Sequence, residues 1–175
     1  MKKTFAILLA ALLLLFSFGA SAETYRFIEN SSDFDITLPL PEGTTISGQE
    51  GSGELSTVTF SKEGLASVRV NIAPTDEYDK ESMNDLTDED IEVLKTIACL
   101  QYEDPIATIE ATQQGNKYIH ICANSTSDDM DSIFTLYKGY FIGMTQWHDD
   151  YAEITEADYA FMQQLLYNLE FIELK

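Results

Sequence analysis

Apolar residues in this chain recur with two different spacings, and the order in which the spacings alternate restricts the fold more than any other feature. Val68, Val70 and Ile72 alternate with Ser67, Arg69 and Asn71, the period-two pattern of a strand with one buried face. Ile91, Leu94, Ile97, Ala98 and Tyr102 instead recur at helical spacing, which puts them on one apolar stripe. Between residues 106 and 147 the period returns to two, and Met162, Leu165, Leu166 and Leu169 close the chain with a second helical stripe. Strands in consecutive runs, separated by single helices, belong to the α+β class rather than to alternating βαβ units. The expected architecture is an antiparallel β-sheet flanked by helices.

Turn and cap residues place the elements. A first strand is expected at 24–28 and a turn at Asn30-Ser31-Ser32-Asp33. A second strand carries Phe34, Ile36 and Leu38 before Pro39 and Pro41 stop it. Gly48, Gly51 and Gly53 read as a loose turn. Strands at 55–61 and 65–73 form a hairpin through Lys62-Glu63-Gly64. The acidic stretch 76–90 has room for a short helical turn. Thr87 followed by Asp90 is a helix N-cap pattern, and Pro105 ends the helix that it opens. Four strands at about 106–113, 117–124, 132–137 and 140–147 follow, with Gly115-Asn116 and Lys138-Gly139 as tight turns. Thr155 and Asp158 repeat the cap pattern before the closing helix.

The N-terminus has its own logic. Lys2 and Lys3 precede an apolar run from Phe5 to Phe18, and Ala20-Ser21-Ala22 fits a small-x-small cleavage site. These are the three parts of a signal peptide, residues 1–22, and the apolar run is shorter than the roughly 20 residues that span a bilayer. No Cys precedes Cys99, so lipid attachment at a processed N-terminal Cys is excluded. The expectation is a single domain, 23–175, exported and without a membrane span. Its charge is extreme: the full chain carries 30 acidic and 10 basic residues, net -20, and loss of Lys2 and Lys3 makes it -22. Such a surface lacks the clustered Lys and Arg that nucleic acid binding needs.

Acids concentrate between residues 76 and 92, where Asp76, Asp79, Asp85, Asp88 and Asp90 are the candidates for a calcium site. Calcium needs six to eight converging oxygens, commonly from an Asp-rich loop with a Gly at its sharp turn. That loop order is missing here and at Asp128-Asp129-Met130-Asp131. Acids also gather at helix starts simply because unpaired N–H groups and the helix dipole favour them there.

The two cysteines lie in a chain expected to meet an oxidising compartment, so a Cys99–Cys122 disulfide is one reading and two separate thiols the other. His120 and Cys122 sit two apart on one strand face and, with Cys99 and His148, could supply a Cys2His2 zinc set, although the paired spacings of zinc motifs are missing. Catalytic motifs are missing too: there is no Gly-x-Ser-x-Gly elbow, and no Gly-Lys-Ser/Thr follows Gly51-Ser52-Gly53. Paired carboxylates, as glycosidases use, mean little where 30 acids are available. The aromatic-rich hairpin with Tyr137, Tyr140, Phe141, Trp147 and Tyr151 reads either as sheet core or as a stacking surface.

The strand Phe34-Asp35-Ile36-Thr37-Leu38-Pro39 leading into Pro41-Glu42-Gly43, and the closing Tyr167-Asn168-Leu169-Glu170-Phe171, resemble the opening and end of PsbP-like domains. Thr44-Thr45-Ile46 stands where that family usually has a large aromatic. The resemblance implies a PsbP-like sandwich, an antiparallel sheet with helices on both faces, and no particular chemistry. The functional expectation is an extracytoplasmic, non-catalytic domain that binds a protein or cell-envelope component and needs no cofactor. The alternatives are a secreted hydrolase using paired carboxylates and a calcium-binding envelope protein.

Overall fold

The computed structural model describes residues 23–27, 34–52, 55–75, 81–100, 102, 104–124, 129–150 and 152–174. The signal segment 1–22, the expected turn at 30–33, and the candidates Asp76, Asp79 and Tyr151 lie outside them. The elements are β1 (Thr24–Arg26), β2 (Phe34–Pro39), β3 (Thr44–Ser52), β4 (Leu55–Lys62), β5 (Ser67–Pro74), a single 3-10 turn at Met83–Asp85, α1 (Asp88–Cys99), β6 (Ile106–Ala111), β7 (Lys117–Asn124), β8 (Asp129–Tyr137), β9 (Tyr140–Trp147), α2 (Glu156–Asn168) and β10 (Glu170–Glu173). This is an α+β fold of mostly antiparallel sheet with two α-helices among the described residues.

Seven strands pair in the order β3-β4-β5-β9-β8-β7-β6, and β1-β2-β10 make a small second sheet. Every pairing is antiparallel. The long reach from β5 to β9 works because Ser67–Pro74 and Tyr140–Trp147 align residue for residue, Val70 opposite Met144 and Ile72 opposite Ile142. The β8–β9 hairpin turns on Lys138 (φ 54) and Gly139 (φ 77). Two successive left-handed residues are what a two-residue turn needs to match strand twist.

Strand alternation sorts the core into two parts. Val58, Phe60, Val68, Val70, Ile72, Ile142 and Met144 project toward α2 and the small sheet, where Ile36, Leu38, Phe161, Met162, Leu165 and Leu166 meet them. Ile119, Ile121 and Leu136 project the other way and meet Met83, Leu86 and Ile91. The two helices therefore cover opposite faces of the large sheet.

Three local expectations are corrected. Gly48 and Gly51 lie within β3 and not in a loose turn. This edge strand is polar on both faces, so its hydrophobic pattern is silent; it is held by pairing with β4, interrupted between Ile46 and Gly48 by a bulge, and by Ser61 Oγ donating to Ser47 Oγ at 2.9 Å. The closing helix stops at Asn168, and the chain then forms β10 against β2. The first helix ends at Cys99, so Tyr102 is held outside it, its hydroxyl 2.7 Å from Ser132 Oγ.

Of the two readings of the cysteines, the candidate Cys99–Cys122 disulfide does not form: both thiols are free. The reason is the sheet itself. Cys99 packs with the Ile119 and Ile121 side of β7, whereas Cys122 contacts His120 on the opposite side of the same strand. Two sulfurs on opposite faces of a sheet cannot reach the few-ångström Cβ separation a disulfide requires.

Candidate functional site

Most of the described acids singled out in the sequence are structural. Asp90 closes a reciprocal cap on α1, accepting from Thr87 N at 3.2 Å while its own N–H donates to Thr87 Oγ1. Asp85 does the same for the 3-10 turn with Ser82. Asp88 is exposed in the first turn of α1. The five calcium candidates thus divide between cap positions, one exposed helix-start position and residues outside the description.

Asp158 is the buried member of the cap series, 1% exposed. Its carboxylate accepts from Thr155 N at 2.8 Å, Thr155 Oγ1 at 2.6 Å and Ala66 N at 2.7 Å, and His148 Nε2 lies 3.1 Å away. Burial opposes the charge, but these bonds outweigh it and hold the pKa down at about 2. His148 is thereby committed to a cap on α2 and is not part of a Cys2His2 set.

The other half of that set does come together, with different company. On β7, His120 and Cys122 share a face, and Asp131 on β8 is the direct register partner of Cys122. The His120 Nδ1–H donates to Glu110 Oε1 at 3.0 Å, while Nε2 is 3.5 Å from Asp131 Oδ2 and 3.5 Å from Cys122 Sγ. Tyr159 of α2 stacks on the imidazole with centroids 4.0 Å apart and planes 14° from parallel. The Tyr118 and Tyr159 hydroxyls both donate to Glu110 Oε2, at 2.8 and 2.9 Å. Gln146 Nε2 donates to Asp131 Oδ2 at 3.3 Å. Among the described residues, this is the group whose His, Cys and acid donor atoms converge, all within 4.8 Å.

The electrostatics follow from crowding. Burial disfavours a charged His120, yet hydrogen bonds to Asp131 and Glu110 and their charges raise its pKa above the ordinary value. Burial, then the Asp131 charge, pushes the Cys122 thiol up to about 11. Glu110 is lowered despite burial by the hydrogen bonds it receives from the two tyrosines and His120. Burial raises both tyrosines, which stay protonated donors. Asp131 was visible in sequence only as one of several acids; its register opposite Cys122 was not.

The expected aromatic platform is split. Tyr140 is buried in the large core, Tyr137 packs edge-on against Phe171, and the Arg69 guanidinium sits 5.3 Å from the Trp147 ring. Phe141 instead turns to the α1 face, where it lines an open apolar groove of about 380 Å³ with Met83, Leu94, Ile97, Leu100, Phe134 and Leu136. Leu100 and Ile97 are 79% and 56% exposed at its rim, and Val93 adds exposed apolar surface on the same helix. The stripe on α1 was legible in sequence, but it is wider than the cover it receives: of its helical residues only Ile91 is buried. Acids ring the groove's helix, with Asp88, Glu89 and Asp90 in its first turn and Lys95 paired to Glu92 at 2.7 Å.

No family model and no curated protein matches the chain. Among solved structures, a mutant of protein Mog1 is similar, at 13% identity over 85% of this chain and 95% of that one, with a TM-score of 0.48. The resemblance to PsbP-like domains is corrected: no family model supports it.

Proposed function

We propose that this chain is an exported, non-catalytic domain that binds a protein segment in the groove beside α1. The observation that carries this reading is the open apolar groove lined by Leu94, Ile97, Leu100, Phe134 and Phe141. Apolar side chains left contiguous on a soluble surface mark interaction sites more often than they occur by chance. The segment that fits is amphipathic, with apolar anchors for the groove and Lys or Arg beside them, because the acids of the first α1 turn and the net charge of -20 favour a basic partner. The hydrolase alternative gains nothing from the geometry: Glu110 and Asp131, the acids that meet in one polar cluster, both lie against the His120 imidazole.

A direct test uses two synthetic helical peptides with the same Leu positions, one flanked by Lys and one by Glu. The Lys peptide is expected to bind, and Ile97→Ser with Phe141→Ser, which leave the charge untouched, to weaken it at least about tenfold, the effect of roughly 1.4 kcal/mol. Equal binding by the double variant would mean attraction to the acidic surface alone and would overturn the reading. Export is tested by N-terminal sequencing of the protein recovered outside the producing cell. Cleavage after Ala22 is the expected result.

A further inference from the structure

On the face of the large sheet that α2 covers, we propose that His120, Cys122 and Asp131 bind a single zinc ion. The spacing of the donors is the first ground. Tetrahedral zinc with bonds of about 2.0–2.1 Å to N or O and 2.3 Å to S holds N and S about 3.6 Å apart and N and O about 3.4 Å apart. His120 Nε2 is 3.5 Å from Cys122 Sγ and 3.5 Å from Asp131 Oδ2, so both pairs that include the imidazole stand near zinc separation, and all three donor atoms lie within 4.8 Å of one another.

The second ground is the way they are held. All three project from paired strands, with Cys122 directly opposite Asp131, and strand-borne ligands need little ordering. Glu110 takes the Nδ1–H of His120, which leaves Nε2 facing Cys122 and Asp131. A carboxylate behind a histidine in this way fixes the tautomer and ring orientation that a metal requires. Tyr159 clamps the ring from one side, and Gln146 orients Asp131.

A third observation is an orphaned acceptor on that same Gln146 amide. Gln146 is the register partner of Asp131 on β9 and is wholly buried, yet its Oε1 has no hydrogen-bond partner. A buried acceptor left unmet is destabilising. Water completing a three-ligand zinc would bring a strong donor to this side of the cluster. The His120 and Asp131 side chains keep 10% and 14% exposure, enough for an ion to enter. The donor chemistry selects the ion: a thiolate excludes calcium and magnesium, and a mixed N, S, O set suits zinc. On binding, the Cys122 thiol proton leaves to solvent as zinc takes its place on sulfur.

The site is distinct from the groove, which lies across the sheet, so either can fail without the other. The test uses the purified, reduced, metal-free protein with zinc, calcium or cobalt chloride added. Zinc is expected to bind one-to-one and raise the unfolding midpoint by several degrees, with calcium inactive. Cobalt is expected to give a thiolate charge-transfer band in the near ultraviolet. Cys122→Ser should abolish the band and weaken zinc at least about 100-fold, Glu110→Gln should weaken it about tenfold, the effect usual for outer-shell partners, and Cys99→Ser should change neither. No zinc binding, binding that survives Cys122→Ser, a band that depends on Cys99, or uptake of cuprous ion but not zinc would each overturn the assignment.

Discussion

The two helices of this protein make a controlled comparison. Both open with the same Thr-x-x-Asp reciprocal cap, and they differ by one residue in length, 12 against 13. Yet α2 buries Asp158, Phe161, Met162, Leu165 and Leu166, whereas α1 buries Ile91 alone. What differs is the company. On the α2 face the β1-β2-β10 sheet brings Tyr25, Ile36 and Leu38 to the same core. On the α1 face, beyond the Met83 turn, none of the described elements plays that part, and Leu94, Ile97 and Leu100 are left lining a groove. An apolar stripe on a helix therefore states that something should cover it, not that the chain itself does.

Substitutions can break this comparison, and the largest effects should fall on the α2 face. Ile72→Ala, at a fully buried position of the large core, is expected to cost about 4 kcal/mol, near the upper range for such truncations, because neighbours on every side prevent collapse. Ile91→Ala in the smaller cluster should cost about 2 kcal/mol, since the site can relax toward the groove. Urea unfolding of both variants measures the difference; equal losses would mean that the two faces are equally packed.

The caps offer the next contrast. Asp158→Ala strands the buried N–H of Ala66 and the part-buried donors of Thr155 and should cost about 3 kcal/mol, against about 1 kcal/mol for Asp90→Ala at its more exposed cap. Asp158 also sets an acid limit. Its pKa is lowered from 3.8 to about 2 in the folded protein, so its contribution is complete above the unfolded value and is lost as pH falls from about 4 toward 2. That contribution is about 2 kcal/mol. Asp158→Asn should flatten the stability profile in that window and nowhere else, which unfolding at pH 5, 3 and 2 reads directly. Smallest of all, Ile97→Ser with Leu100→Ser should leave stability within about 0.5 kcal/mol, as surface changes do. A loss of several kcal/mol would show that the groove is filled by this chain's own packing.

How much of this could be read beforehand depended on whether the information was local. Both caps were legible because Thr87 with Asp90 and Thr155 with Asp158 carry the whole signal within four residues. β5, β7 and β9 were legible from alternation or from their turns. β3 was not, because an edge strand that is polar on both faces has no alternation, and Gly48 and Gly51 mimic a turn. β10 was hidden because Phe171 and Ile172 follow directly on the helical stripe and pair with β2, 135 positions earlier at Ile36 for Phe171. At the polar cluster, His120 and Cys122 were recognised as sharing a face, but Asp131 required knowing the β7–β8 register. The mistaken partners, Cys99 and His148, were chosen by residue type; the sheet places the first on the wrong face, and Asp158 holds the second.

The central claim is that the α1 side of the large sheet presents an apolar groove for a partner, whereas the cleft of about 410 Å³ on its α2 side, beside Thr135, Tyr137 and Glu170, is the more polar one. Residue-resolved amide NMR during titration with the Lys-flanked amphipathic peptide tests it most directly. The expected result is saturable shifts confined to α1, the Met83 turn and the residues around Phe134 and Phe141. Shifts spread over the acidic surface without saturation, or centred on α2 and the small sheet, would contradict it.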